Sequence, residues 1–286
     1  MRADLIYDVG MNNGDDTAYY LSRGFRVVAI EANPVLVEQA SQRFEREIAA
    51  GILLILNIGV SDSEGVLPFW ICDAHPEWSS FDRSIASRND LDHHQITVSC
   101  RIFKSILKEF GTPYYLKLDI EDSEIYCLRD LIDSDLPTYV SFEQNERWTE
   151  SLTLLHNLGF TGFKLISQLS NYLPLEYPPV PRQISYERAQ KLLRSKNLLL
   201  RLVRRAGLRL LLQRQIDRGR SQPGWTFPPG SSGSFGEDLL GKWQSFEEII
   251  ETLAQANSAR SAGKPSVFWG DKDYSFWADF HARRAD

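Results

Sequence analysis

Two groups of carboxylates stand at positions where a charge can do chemistry. The first begins in Leu-Ile-Tyr-Asp-Val-Gly-Met-Asn-Asn-Gly-Asp-Asp-Thr, residues 5–17, where Asp8 precedes two glycines, Gly10 and Gly14. An apolar run, a glycine turn and a helix start, in that order, receive nucleotide-like ligands, because glycine admits positive φ and lets a ligand touch the backbone. Dinucleotide turns read Gly-x-Gly-x-x-Gly and face a doubly negative pyrophosphate, which Asp8 would repel. A carboxylate there suits a cationic ligand. S-adenosylmethionine carries a sulfonium and an ammonium, and helix amides can hold its carboxylate. Glu31, which closes the apolar run Arg26–Ile30, is placed to accept both ribose hydroxyls.

The second group is Asp119, Glu121 and Glu143. From Tyr114 onward, Leu116, Leu118 and Ile120 alternate with Lys117, Asp119 and Glu121. A central parallel strand is apolar on both faces, so polar residues at its carboxyl end need a ligand or a partner. Alternation puts Asp119 and Glu121 on one side, at the edge where such sheets bind ligands. Glu143 ends the following strand, Tyr139–Phe142. These three acids can orient or deprotonate a hydroxyl. They could also hold a divalent metal through oxygen, although none is expected. His93 and His94, in a polar loop, are further candidates for a base. The three cysteines, Cys72, Cys100 and Cys127, show no zinc-ligand spacing. No Gly-x-x-x-x-Gly-Lys-Ser/Thr loop supports nucleotide hydrolysis.

The elements that must position these residues alternate. Asp16–Arg23 reads as a helix stopped by Gly24, and Asn33-Pro34 opens a longer one whose stripe is Leu36, Ala40, Phe44 and Ile48. Ile52–Leu56 is a third strand, so a doubly wound, mostly parallel α/β sheet is expected. Val66–Ile71 and Ile96–Ile102 then break the alternation as a β-hairpin insertion. Its long polar loop contains His75, Trp78, Ser79, Ser80, Asp82, His93 and His94. Phe103–Phe110, Ser123–Leu131 and Trp148–Leu158 read as helices, and Phe163–Ile166 as a strand.

Asp-Val-Gly-Met-Asn-Asn-Gly-Asp-Asp-Thr, Ala-Ile-Glu-Ala-Asn-Pro, Gly-Val-Ser-Asp and Leu-Lys-Leu-Asp-Ile-Glu-Asp-Ser-Glu, in that order, resemble the FkbM family of methyltransferases over about residues 4–166. The resemblance implies a Rossmann-like class I fold and S-adenosyl-L-methionine as cofactor. It implies Asp8, Gly10, Asn12 and Gly14 around the methionine moiety and Glu31 on the ribose. Asn57–Ser61, with Gly59 and Val60, would lie near the adenine, and Asn33 joins the cofactor-binding set. Two departures are visible: members often have glycine where Asp122 stands and alanine where Met11 stands.

The 286 residues are 43% hydrophobic and 24% charged, which predicts a packed core. No secretory or membrane-spanning run is present, and the few cysteines suit a cytoplasmic setting. The net charge of −6 argues against bulk nucleic-acid binding. It conceals a basic stretch, 182–220, in which only Glu187 and Asp217 are acidic. Residues 1–181 therefore read as the methyltransferase domain, and 182–286 as an extension that recognises substrate. Pro174–Pro181 reads as a linker and Ser185–Asp217 as two basic helices that can contact an anionic substrate or a membrane surface. Gly230, Gly233 and Gly236 would hinge a lid carrying Trp225, Phe235 and Trp243, and Ser245–Glu248 is a capping box. The expected activity is O-methylation of a glycan, small-molecule or lipid-linked acceptor; oligomeric state is not legible. Two alternatives are an inactive binding protein on the same fold and an NAD-dependent oxidoreductase, the latter disfavoured by Asp8 and the missing third glycine.

Overall fold

The computed structural model describes residues 1–131, 135–168, 173–176, 197, 221–228, 230–261 and 277–285. The chain divides into two units, Met1–Phe160 with Ala282–Asp286, and Thr161–His281.

The first unit opens with β1 (Arg2–Val9), α1 (Asp15–Ser22), β2 (Arg26–Ile30), α2 (Pro34–Arg43), α3 (Glu45–Ala49) and β3 (Leu53–Leu56). An excursion follows: β4 (Gly59–Val60), β5 (Gly65–Cys72), α4 (Arg83–Ala86) and β6 (His93–Arg101). Alternation resumes with α5 (Phe103–Phe110), β7 (Pro113–Leu118), α6 (Glu124–Arg129), β8 (Tyr139–Glu143) and α7 (Trp148–Asn157). Hydrogen bonds order the main strands β3-β2-β1-β7-β8, every pair parallel. Ile6, Val9, Val28, Ile30, Leu116, Leu118, Val140 and Phe142 are buried, as expected of parallel strands covered on both faces. The order grows one way from β1 to β3 and the other way from β1 to β8. The carboxyl ends of β1 and β7 therefore flank the switch point at which open α/β sheets take ligands.

Several expectations need correction. The long helix after Pro34 breaks at Phe44 (φ −112°, ψ 27°), which ends α2 and starts α3. Phe44 is buried while Ile48 is 36% exposed, so the apolar stripe stops at the break. His93 and His94 lie on β6, paired with Cys72 and Ile71 of β5, and not in the loop. Polar residues are tolerated there because this stretch of β6 is largely exposed. A parallel pairing of β4 with β6 makes the insertion a separate three-stranded sheet. Finally, β7 ends at Leu118, so the alternation does not extend through Glu121. Glu121 (φ 47°) and Asp122 (φ 73°) turn through left-handed geometry instead.

In the second unit, β9 (Phe160–Ser167) pairs antiparallel with β10 (Leu173–Pro174). A short hairpin joins β11 (Ser221–Gln222) to β12 (Trp225–Thr226). The helix α8 (Phe246–Ser261) follows. Its capping box is present: the Ser245 hydroxyl accepts from the Glu248 amide at 3.2 Å, and Glu248 accepts from the Ser245 amide at 2.8 Å. Buried Gln244 exchanges backbone hydrogen bonds with Phe163 on β9, and its side chain reaches Leu175 and Thr252. Ser231, Ser232, Ser234 and Phe235 are buried, so the glycine–serine segment is packed within this unit. The last strand, β13 (Ala278–Arg284), begins in this unit and ends in the first, where the Arg284 amide donates to Thr138 at 3.1 Å. The basic stretch 182–220 apart from Asn197, and residues 177–181 of the proposed linker, lie outside the described residues.

Candidate active site

The turn after β1 is backbone laid against backbone. The amides of Gly10 and Met11 both donate to the Ile30 carbonyl, at 2.9 and 3.0 Å. Gly10 has φ 84°, and a β-carbon there would sit 1.8 Å from the Asp119 carbonyl oxygen. No side chain fits, so glycine alone lets the first turn pass this close to the segment after β7. Glu31, at the end of β2, ties the turns together. Its Oε2 accepts from the Asn12 amide at 2.9 Å and its Oε1 from the Asn33 amide at 2.8 Å. Burial pushes the Glu31 carboxyl up, against the lowering influence of those amides. Asn33 in turn caps α2 by accepting from the Val35 amide at 3.0 Å.

Gly10, Asn12, Glu31, Gly59, Val60, Asp119 and Glu121 line one cavity of about 620 Å³. Its apolar walls include Ile30, Leu36, Phe69 and Phe81. A β-carbon on Gly59 would lie 2.4 Å from Phe81 Cζ, so the β4 backbone and the Phe81 ring are in close contact. Four other residues chosen from the sequence do not line this cavity. Gly14 caps α1, Asn33 caps α2, and Glu143 ends β8. Asp8 is fully buried.

The burial of Asp8 identifies a partner that sequence reading left unassigned. The Lys117 ammonium lies 3.2 Å from Asp8 Oδ1, 3.2 Å from Asp16 Oδ2 and 3.4 Å from Asp119 Oδ2. Thr17 donates to Asp8 Oδ2 at 2.6 Å. Burial disfavours the Lys117 cation, but the three carboxylates outweigh it and hold its pKa well above the usual lysine range. Burial also pushes the Asp8 carboxyl up, with Lys117 opposing. Asp119 is 38% exposed and so joins this buried network to the cavity. The sequence carried a signal for it, since a lysine inside an apolar strand needs a buried counter-charge.

The loop after β7 is pinned at both ends. The Asp119 amide donates to Val9 at 2.9 Å. Fully buried Glu124 accepts from the Ile120 amide at 3.1 Å and from the Asn145 side chain at 2.8 Å. Burial pushes Glu124 up to about 8. Between these anchors, Glu121 Oε1 accepts from Arg88 Nη2 at 2.9 Å. Burial raises Glu121 to about 7; Arg88 works against that rise, and Asp119 and Asp122 add to it. Neither Glu124 nor Arg88 could be singled out from local pattern, because the side chains they pair with, Asn145 and Glu121, are remote in sequence.

A second, larger cavity of about 1220 Å³ shares Phe81 and Glu121 with the first. Trp70, Asp82, Arg83, Asp122, Tyr126 and Arg147 also line it. Asp122 Oδ1 is buried with no hydrogen-bond partner among the described residues. His93 and His94 line neither cavity. His94 pairs with Asp73 at 2.7 Å, and His93 accepts from Arg83 at 3.1 Å. Among the described residues no group of three or more His, Cys, Asp or Glu is arranged to hold a metal ion. Nor is any described helix long and apolar enough to cross a membrane.

Residues 8–164 match the family model described as Methyltransferase FkbM domain. No curated protein matches the chain. Among solved structures, the C-terminal domain of precorrin-6Y C5,15-methyltransferase from Rhodobacter capsulatus is similar at 12% identity and a TM-score of 0.36. That match covers 58% of this chain and 68% of the other. Phosphoethanolamine N-methyltransferase 2 of Haemonchus contortus, in complex with S-adenosyl-L-methionine, is similar at 9% identity and a TM-score of 0.35. There the match covers 99% of this chain and 49% of the other.

Proposed function

Because the chain belongs to the FkbM methyltransferase family, we propose that it moves a methyl group from S-adenosylmethionine to a hydroxyl on a glycan, small-molecule or lipid-linked acceptor. The observation that carries this reading is Glu121, the acid common to the walls of both cavities, with its pKa pushed up to about 7.

The smaller cavity suits the cofactor in its chemistry. Each Glu31 oxygen already accepts one amide and keeps a lone pair for a ribose hydroxyl. Gly10 and Asn12 would hold the methionine moiety, Gly59 and Val60 the adenine, and Asp119 would supply negative charge for the cation. Asp8 acts at one remove, by holding Lys117 against Asp119, while Asn33 acts by holding Glu31. When bound, the cofactor supplies an electrophilic methyl group on a sulfonium. The acceptor would enter the larger cavity with its hydroxyl at Glu121, the acid that both cavities share, to receive that methyl group. Glu121 takes the hydroxyl proton. A base with a pKa close to the working pH is the most effective one. The basic stretch 182–220 supplies charge for an anionic acceptor or a membrane surface.

Calorimetry and a methyl-transfer screen test this reading. Glu31→Ala is expected to weaken S-adenosylmethionine binding by about 1–3 kcal/mol, the usual loss for charged hydrogen bonds. With labelled cofactor and hydroxyl-bearing glycans and metabolites, Glu121→Gln is expected to lower turnover far more than cofactor affinity. Unchanged turnover in Glu121→Gln on an accepted substrate removes Glu121 from the chemistry.

A further inference from the structure

The β5–β6 insertion does more than roof the cavities. Arg88 sits in a turn whose next two residues, Asn89 (φ 61°) and Asp90 (φ 56°), are both left-handed. Its guanidinium carbon lies 4.1 Å from the centre of the Trp78 ring, and Trp78 stacks on His75 at 4.2 Å with an interplanar angle of 25°. Of its nitrogens, Nη2 donates to Glu121 Oε1, whereas Nε is buried without a partner among the described residues. A buried donor without an acceptor is costly, so satisfying its own hydrogen bonds does not explain where this side chain is held. Nor does Arg88 line either cavity. What it touches is the carboxylate at their junction.

We propose that Arg88 is the positioning residue of Glu121: delivered by the insertion and clamped on Trp78, it holds the Glu121 carboxylate charged and fixed at the junction of the two cavities. The inference rests on Glu121 acting as the base. Its physical content is a balance. Glu121 is only 15% exposed on its side chain, and burial alone would keep it protonated. Asp119 and Asp122, from its own loop, push in the same direction. Glu31, Asp62, Glu77, Asp82, Arg83 and Arg147 are the other charged groups on the walls of the two cavities. Arg88 is the cation bonded directly to the carboxylate. A flat guanidinium against an indole face is confined to one plane, so its hydrogen bond also fixes the direction of the carboxylate. Oε1 is engaged in that bond, and Oε2 has no hydrogen bond among the described residues.

The test needs no acceptor. The full chain is labelled with glutamate carrying carbon-13 at the side-chain carboxyl, and the Glu121 signal is assigned by its loss in Glu121→Gln. In the parent its titration midpoint is expected near 7. Arg88→Met is expected to move that midpoint upward by about one pH unit or more, as for loss of an adjacent opposite charge. Arg88→Lys should fall between the two. A midpoint near 7 that stays put in Arg88→Met overturns this inference and leaves the base assignment standing. A parent midpoint in the ordinary carboxylate range overturns the base assignment and this inference with it. S-adenosylmethionine binding by calorimetry reports whether each variant is folded. Should Arg88→Met not fold, Trp78→Leu removes only the clamp; a raised midpoint then supports the inference and an unmoved one overturns it.

Discussion

Lys117 shows how a single residue can set the terms for a site it does not enter. Its ammonium neutralises Asp8 and Asp16, both buried, and reaches Asp119 at the cavity wall. Removing one partner from a buried ion cluster leaves uncompensated charge and costs about 3–5 kcal/mol. Lys117→Met is expected to lose stability on that scale in denaturant unfolding, and Asp8→Asn in the same chain should restore part of it. Glu124 gives a pH-dependent counterpart. Its carboxyl keeps its proton up to about 8 in the folded chain, against an ordinary value of 4.5. Between those two values the unfolded chain binds fewer protons than the folded one, so stability falls as pH rises. Glu121, raised to about 7, acts with the same sign. The unfolding temperature is therefore expected to decline from pH 5 to pH 8, and the decline should be shallower in Glu124→Gln and shallowest when Glu121→Gln is added.

Among elements, the turn between β1 and α1 sets the tightest tolerance. Gly10 and Gly24 both have φ 84°, yet a β-carbon at Gly10 meets the Asp119 carbonyl at 1.8 Å while one at Gly24 meets nothing within 4 Å. Alanine at either position carries a similar backbone strain, on the order of 1–3 kcal/mol. Gly10→Ala alone must also separate the turn from the segment after β7. Thermal unfolding should show a larger loss for Gly10→Ala than for Gly24→Ala, and calorimetry a loss of cofactor affinity in the first alone. The same elements show what sequence can and cannot reveal. β1 through β3 were legible because apolar runs, Gly24, Pro34 and Gly51 mark every boundary. The break at Phe44 was not, since the four-residue periodicity runs straight through it. His93 and His94 read as loop because the apolar part of β6 starts only at Ile96. Lys117 announced its need for a partner by its place in an apolar strand. Arg88 announced nothing: the residue it serves lies 33 positions away, and no local pattern encodes that distance.

For the molecule as a whole, the significant residues lie far from the cavities in sequence. Ala282 is fully buried, and with Arg284 it belongs to the unit formed by Met1–Phe160. Deleting 282–286 removes the buried methyl of Ala282 and the Arg284–Thr138 hydrogen bond, and it is expected to lower the unfolding temperature by several degrees. Calorimetry should still detect S-adenosylmethionine, since none of the lining residues is lost. The path of β13 also bears on synthesis. By residue 121 the ribosome has made every residue that lines the smaller cavity, and by residue 147 every one that lines the larger. The first unit nevertheless waits for Ala282–Asp286, and at about 5–20 residues per second that wait lasts roughly 6–25 s. A nascent chain therefore carries every lining residue of both cavities well before it carries the segment of β13 that belongs to the first unit.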